Sequence, residues 1–430
     1  MRTSFYPTSR AVLLMAAGAP VALAIGVMLP RLWTIGFAWM FFVALLLLLD
    51  AVLAPSLGSA RPALSVSPSA PIGGTVELAV EASAGSAQAA LETDPRLAPD
   101  TRGGSHLVAG KARFRFSAVR RGTAHVSTSW LRLKGPLGLL WKQRRDTQDI
   151  AILVLPDIRP VREQSQLLIR QAQAGETARR EMGSGTEFRS LVPFVEGMDR
   201  RAIDWKQSAR HHLLLCRDWQ IERNNQIVLA IDAGRAMSEP LVGVPRIDRA
   251  VTAALLTAYV ALKLDDRVGL YAYAEKPLAV SAISAGVSAF PALQRLAAGV
   301  DYGTRETNHT FGLTRLAQRL DRRTLVILFT EFTDPTSAEL MIKACAPLLQ
   351  RHLLLLLIQR DEELEGLAAA EPVEPEDVTR AVAAQALLRE RAIVAGRLRR
   401  MGVHVAETRY DQANSALVDA YLSFKRQGLI

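Results

Sequence analysis

Cysteine is nearly absent from the chain. Only Cys216 and Cys345 occur, each inside an apolar stretch, so neither a disulfide framework nor a cysteine-based metal site is suggested. Histidine is too scattered to ligate: His211 and His212 adjoin a strand, and His106, His125, His309, His352 and His404 show no recognisable ligand spacing. There is no Gly-x-Ser-x-Gly elbow, no phosphate-cradling glycine-rich loop and no His-Glu-x-x-His helix. An enzyme is therefore the less expected class. Acidic charge is missing from one long stretch, because residues 102 to 145 carry eleven Lys or Arg and no Asp or Glu. Two readings of that stretch stay open, an ordinary solvated strand face or a surface held against anionic lipid.

The 430 residues suffice for two soluble domains and smaller pieces. A net charge of +10 suits nucleic acid or the anionic inner face of a membrane. The N-terminal region favours the membrane. "AVLLMAAGAPVALAIGVML" (11–29) and "LWTIGFAWMFFVALLLLL" (32–49) are uncharged, and each is close to the roughly 20 residues of a spanning helix. A cleaved signal peptide is the alternative for the first stretch, with Arg2 and Arg10 as its charged start, but the second stretch and its Trp33 and Trp39 argue for a transmembrane hairpin. Arg2, Arg10 and Arg61 flank that hairpin, so the positive-inside bias places residues 62 to 430 in the cytoplasm, with Arg31 at the tip as a weak counter-signal. The expected location is the inner (cytoplasmic) membrane.

Four segments follow from texture: a hairpin over 1–60, a small β-sandwich over 61–156, a polar, Arg-rich connection over 157–225, and an α/β domain over 226–430. "TVELAVEAS" (75–83), "KARFRFSAV" (111–119) and "TAHVSTSWLRLK" (123–134) alternate apolar and polar residues with the period of half-buried strands. From "IVLAID" (227–232) onward, apolar runs alternate with helical periods, which predicts a doubly wound sheet with ligand sites at the carboxyl ends of its strands. Asp232, Glu331 and Asp361 fall at such ends.

The segment "GTEFRSLVPFVEGMDRRAIDWKQSAR" (185–210) carries a family pattern: Gly185, Glu187, Phe188, Leu191, Gly197, Asp199, Arg201, Ile203, Asp204, Trp205, Ala209 and Arg210 stand in its order, with Met198 where its first Asp of a doublet belongs. "RRG" (120–122), "GPLGLLW" (135–141) and "YLSFKRQGLI" (421–430) extend the match. With these residues the chain resembles the bacterial membrane proteins of domain-of-unknown-function family fifty-eight (DUF58). The resemblance implies a membrane hairpin, a β-rich segment and a von Willebrand factor A-like domain, working beside a MoxR-type AAA ATPase. It attaches no enzymatic activity. Glu187, Asp199 and Asp204 alternate with Arg200, Arg201, Lys206 and Arg210, a composition that suits a salt-bridge network pinning the β-region to the α/β domain, with Phe188 in the motif and Trp205 as packing anchor. A partner-docking surface and acid–base chemistry by Glu187 or Asp204 are the alternatives.

In von Willebrand A domains the first strand ends in Asp-x-Ser-x-Ser, whose hydroxyls hold Mg²⁺. Here the register reads Asp232, Gly234, Ala236, so both hydroxyls are missing. The later Thr is Thr307 or Thr310, with Thr310 carried as the ligand of the degenerate site, and the later carboxylate is Glu331. Mg²⁺ wants near-octahedral oxygen, and losing two fixed ligands lowers affinity, so the expectation is no cofactor and an Asp232 that accepts backbone N–H groups. The function expected is a membrane-anchored, non-catalytic interaction module whose partners are the bilayer and the ATPase. An envelope-linked hydrolase using Glu187 and Asp204, and a nucleic-acid binder supported only by charge, are the runners-up.

Overall fold

The computed structural model describes residues 2–28, 34–54, 63–66, 69–81, 87–100, 104–108, 110–158, 166, 169, 187–195, 198, 200–220, 224–331 and 335–430. They form two compact units, Met1–Leu155 and Pro156–Ile430.

The first unit is built on strands β1 (Arg2–Pro7), β2 (Ala63–Val66), β3 (Ser69–Pro71), β4 (Thr75–Glu81), β5 (Ala87–Thr93), β6 (Leu97–Pro99), β7 (Ser105–His106), β8 (Lys111–Ala118), β9 (Gly122–Lys134) and β10 (Leu140–Leu155). One sheet has the order β1-β10-β9-β5-β7 with β3 beside β10, and the other the order β2-β4-β8-β6. Alternation explains the sandwich: Val76, Leu78 and Val80 of β4, Phe114 and Phe116 of β8, Val126, Leu131 and Leu133 of β9 and Ile152 and Val154 of β10 point into one core, and the intervening residues face out. Strand β1 is unforeseen. "RTSFYP" looks like a charged leader, yet it pairs antiparallel with β10, Phe5 opposite Lys142 and Tyr6 opposite Trp141.

Strand β1 runs into helix α1 (Ser9–Met28), and α2 (Thr34–Leu53) packs beside α1, where the absence of a side chain at Gly18 makes room for the Trp39 ring and Trp39 Nε1 donates to the Leu14 carbonyl at 3.2 Å. The expected pair of transmembrane spans is not supported by the described residues: side chains are described for the runs 9–24 and 37–53, and among the described residues no helix is long and apolar enough to cross a membrane. The helix ends are fixed to the sandwich. Asp50, fully buried near the end of α2, accepts from the N–H groups of Leu137, Leu139 and Leu140 at 2.7, 2.8 and 2.8 Å, and Thr8 binds the same turn through Gly138 and Leu139.

The second unit opens with the hairpin β11 (Glu187–Pro193) and β12 (Leu215–Gln220), which encloses helix α3 (Trp205–His211). The α/β domain follows with β13 (Gln226–Asp232), the two-residue strands β14 (Pro240–Leu241) and β15 (Val244–Pro245), β16 (Arg267–Tyr273), β17 (Pro277–Val280), β18 (Ser284–Ala285), β19 (Thr324–Phe329), β20 (Leu353–Gln359) and β21 (His404–Thr408). The main sheet has the order β17-β16-β13-β19-β20-β21 and is parallel except at β17 and the short β18. Its central strands read as unbroken apolar runs because both faces are covered, as parallel strands require.

On one face lie α5 (Arg246–Lys263), α6 (Phe290–Ala298) and α11 (Ala413–Gln427), and on the other α7 (His309–Arg319), α8 (Pro335–Leu349) and part of α10 (Pro375–Arg400). The four-residue α4 (Arg235–Ser238) and α9 (Glu362–Ala369) sit at strand ends. The terminal helix is tied down by Asp266, fully buried, which meets Lys425 Nζ at 2.7 Å and Tyr421 Oη at 2.5 Å. Burial raises the Asp266 carboxyl above its usual range despite these partners. The chain leaves β13, crosses to β16 on one side and then returns to β19 on the other. In doubly wound sheets ligand sites form at the carboxyl ends of the strands where the order reverses, here β13 and β19.

Asp50 accepts from three of the four N–H groups of the 137–140 turn, and a buried N–H without an acceptor is costly. Asp50→Ala is expected to lower unfolding free energy by about 2 kcal/mol or more, read from denaturant midpoints of the full chain in detergent. An unchanged midpoint would show that the turn is held by other means.

Candidate functional site

The carboxylate of Asp232 ends β13 and is 1% exposed. Its Oδ1 accepts from Thr307 Oγ1 at 2.5 Å and from the Gly234 N–H at 2.9 Å, and its Oδ2 accepts from Thr330 Oγ1 at 2.6 Å. Both oxygens are thus engaged by protein donors. The 301–307 loop lies directly on the 233–234 turn: a Cβ at Gly234 would overlap Thr307 Oγ1, a Cβ at Gly303 would overlap the Ala233 carbonyl, and Arg235 N donates to the Arg305 carbonyl at 2.8 Å. Gly234 is therefore required by a close approach and not by an unusual φ, since its φ of −77° is open to any residue.

Thr310 is not part of this arrangement. It is exposed in the first turn of α7, whose N-cap Asn308 accepts from Phe311 N, and Thr307 supplies the hydroxyl instead. Glu331, 4% exposed, also turns elsewhere: its Oε2 meets Arg391 at 3.0 Å and Arg246 Nε at 3.6 Å. The expected set of Asp232, Thr310 and Glu331 is not assembled. Mg²⁺ does not fit here, because the hydroxyl positions are Gly234 and Ala236, both Asp232 oxygens already accept strong bonds, and Glu331 is paired with guanidinium. Among the described residues no group of three or more His, Cys, Asp or Glu is placed to hold a metal.

Two arginines that sequence reasoning passed over organise the rest. Arg246, at the start of α5, ion-pairs with Asp361 and approaches Glu331; Arg391, on α10, bonds Glu331 and the Gln359 carbonyl at 2.9 Å. Asp361 also caps α9 by accepting from Leu364 N at 3.1 Å. The ends of β19 and β20 are thereby bridged by cations from two helices, with Arg246 7% exposed. Such pairs are charge-assisted and directional. Removing one partner would leave a buried charge alone. On the other flank Tyr273 ends β16 fully buried, its hydroxyl 3.3 Å from His309 Nδ1, and burial pushes the phenol well above its usual range with Asp232 adding to the effect. It stays a neutral hydroxyl.

Beside the arginines lies a groove of about 590 Å³ between α8, α9 and α10. Its floor is Arg246, Glu331, Asp361 and Arg391; its walls include Ile342, Leu364, Leu367, Leu387, Ile393 and Val394. Leu367, Leu387 and Ile393 are 46%, 41% and 51% exposed. Glu239, Glu339, Glu363, Glu390 and Arg397 line the groove as well, so apolar and charged side chains converge in one concavity, a form that suits a binding site. Sequence order hides it, because its walls come from three helices and its floor from two strand ends.

The 185–210 motif is placed elsewhere. Glu187 and Phe188 begin β11, with Phe188 in register with Trp219, and their side chains lie outside the described residues, as does Asp199. Arg201 sits in a single 3-10 turn, Arg200–Ala202. Asp204 is the N-cap of α3: Oδ1 accepts from Lys206 N and Gln207 N at 3.1 Å each, and Oδ2 pairs with Arg217 of β12 at 2.9 Å. Trp205 is 68% exposed and is not a packing anchor, because it is the first residue of a seven-residue helix whose buried side chain is Ser208. Arg210 is likewise exposed. The Asp204–Arg217 ion pair thus closes on its own hairpin. The N–H bond from Gln207, followed by Arg217, holds the Asp204 carboxyl below its usual range. A carboxylate so engaged is poorly suited to deliver or take a proton.

Two outcomes follow. Gly234→Ser forces a Cβ onto Thr307, so it is expected to cost about 1–3 kcal/mol and to leave calorimetric titration with micromolar Mg²⁺ or Mn²⁺ without heat; metal-dependent heat would contradict the fit described. For Asp204 the folded pKa is lowered, so its contribution is fully present above the unfolded value near pH 4 and is lost as pH falls through the lower folded value. The stability gap between the wild type and Asp204→Asn is therefore expected to be constant above about pH 5 and to shrink on acidification below roughly pH 4 in denaturant melts.

The model of the family described as "Protein of unknown function DUF58" matches residues 190–400. No curated protein matches the chain. Among solved structures, the chain is similar to the conserved hypothetical protein BatB from Bacteroides thetaiotaomicron at 12% identity, with 46% of this chain and 99% of that one covered and a TM-score of 0.29. An aerotolerance-related membrane protein from Bacteroides fragilis carrying multiple mutations to serine is 14% identical over 47% of this chain and 99% of its own, with a TM-score of 0.28. An uncharacterized membrane spanning protein from Vibrio fischeri is 11% identical over 48% and 99%, with a TM-score of 0.18. Over residues 190–400, this chain matches the DUF58 family.

Proposed function

We propose that the chain is a membrane-anchored, non-catalytic interaction module, in which a von Willebrand factor A-like domain engages a protein partner through the groove beside its strand ends. The observation that carries this reading is the groove itself: exposed leucine and isoleucine on the walls, and a floor whose charges are already paired within the chain. Paired floor charges fix the shape of the groove, and the apolar walls supply the area that a partner would bury. A buried Asp232 with no free oxygen favours contact by protein surface over contact through an ion.

Anchoring is supported by α1 and α2, whose apolar side chains point outward: Leu23, Met40, Phe41 and Val52 are 72%, 69%, 72% and 75% exposed. So much exposed hydrocarbon on two adjacent helices needs a cover, and lipid is the cover their composition suits. The reading places both helices in the inner membrane and the remaining domains in the cytoplasm. The partner indicated by the family resemblance is a MoxR-type AAA ATPase, in envelope-related assembly or maturation.

Binding of the purified full chain to such an ATPase from the same organism tests this reading. Leu367→Asp and Leu387→Asp are expected to weaken it at least about tenfold, or roughly 1.4 kcal/mol, while Val373→Asp, 91% exposed and outside the groove lining, leaves it unchanged. Equal binding by all three variants would refute the assignment of the groove.

A further inference from the structure

The anchored reading leaves unexplained one face of the β1-β10-β9 sheet. Side chains two apart on a strand share a face. Tyr6 is in register with Trp141, and Trp141 with Lys134; one step along lie Ser4, Gln143 and Arg132; the next step brings Arg145 opposite Trp130. Aromatic and cationic residues therefore interleave on the outward side. The Arg132 guanidinium and the Lys134 ammonium lie 5.3 and 5.4 Å from the centre of the Trp141 ring, and the Arg145 guanidinium lies 5.0 Å from that of Trp130. Trp130, Arg132 and Trp141 are half-buried; Tyr6, Lys134 and Arg145 are exposed. In sequence, no carboxylate occurs from residue 102 to 145, and β1 has none.

This face begins at the foot of the two apolar helices. β1 continues into α1, and the β9–β10 turn is the one held by Asp50 of α2 and by Thr8. The row of Tyr6, Trp141 and Lys134 is next to that turn, and the row of Arg145 and Trp130 is four residues farther, about 14 Å at the rise of a strand. Tryptophan and tyrosine prefer the headgroup level, and cations near the bilayer attract anionic lipid over roughly one Debye length.

We propose that the sheet face bearing Tyr6, Trp130, Arg132, Lys134, Trp141 and Arg145 is a seat for anionic phospholipid headgroups. The indole rings hold the guanidinium and ammonium groups against one face of the sheet, so that several cations reach one plane together. Charge complementarity selects an anionic headgroup over a zwitterionic one. The seat rests on the anchored reading and orients the sandwich against the bilayer.

The test uses the full chain in nanodiscs of phosphatidylcholine and phosphatidylglycerol in equal amounts, with retained lipids counted by native mass spectrometry. Wild type is expected to keep phosphatidylglycerol over phosphatidylcholine by at least about threefold, a preference abolished in Arg132→Gln/Lys134→Gln/Arg145→Gln and preserved in Arg132→Lys/Arg145→Lys. Circular dichroism melts of the variants in the same discs establish that they fold. Equal retention of the two lipids by wild type, or an undiminished preference in a folded Gln variant, overturns the seat while leaving anchoring intact. Failure of the wild-type chain to enter discs at all overturns the anchored reading and the seat with it.

Discussion

The hydrogen bonds that Thr307, Thr330 and the Gly234 N–H make to Asp232 set the character of the whole strand-end face. A buried carboxylate must be balanced, by a cation or by donors in fixed positions. Here donors from three separate segments converge on it. The 301–307 loop is drawn onto the 233–234 turn, and the small residues Gly234 and Gly303 permit that approach. The space over β13 is closed, so access at the strand ends shifts toward β19, β20 and the groove under α10.

In the groove, charge again determines form. Arg246 and Arg391 reach in from helices on opposite faces of the sheet and meet Glu331 and Asp361, so the strand ends are bridged by guanidinium groups. A paired floor is rigid and offers little net charge to a small ion. The walls combine hydrocarbon from Leu364, Leu367, Leu387 and Ile393 with further charged side chains, among them Glu339, Glu390 and Arg397. Similar logic operates in the first unit, where Asp50 fixes a turn and so sets where the cation and indole rows begin relative to α1 and α2.

Much of the fold is legible in sequence because burial leaves a periodic mark. The apolar runs of β13, β19 and β20, and the helical period of α5, are direct records of which faces are covered. The strand-end acids were legible for the same reason. Their partners were not: Arg391 is 60 residues from Glu331 and Arg246 is 115 residues from Asp361, and no local period reports such a pairing. Choosing between Thr307 and Thr310 depended on where α7 begins, which Asn308 settles by capping. Trp205 misled because indole is usually buried, while a position beside an N-cap on a short helix has no core to enter. Strand β1 was hidden by its own charge and by the apolar stretch that follows it.

A double-mutant cycle on Asp232→Asn and Thr307→Val, measured by denaturant unfolding of the full chain, tests most directly that protein donors satisfy this carboxylate. The predicted coupling is about 1.5–3 kcal/mol, the range of a hydrogen bond to a charged group. Additivity within about 0.3 kcal/mol, together with stabilisation of the wild type by Mg²⁺, would contradict it.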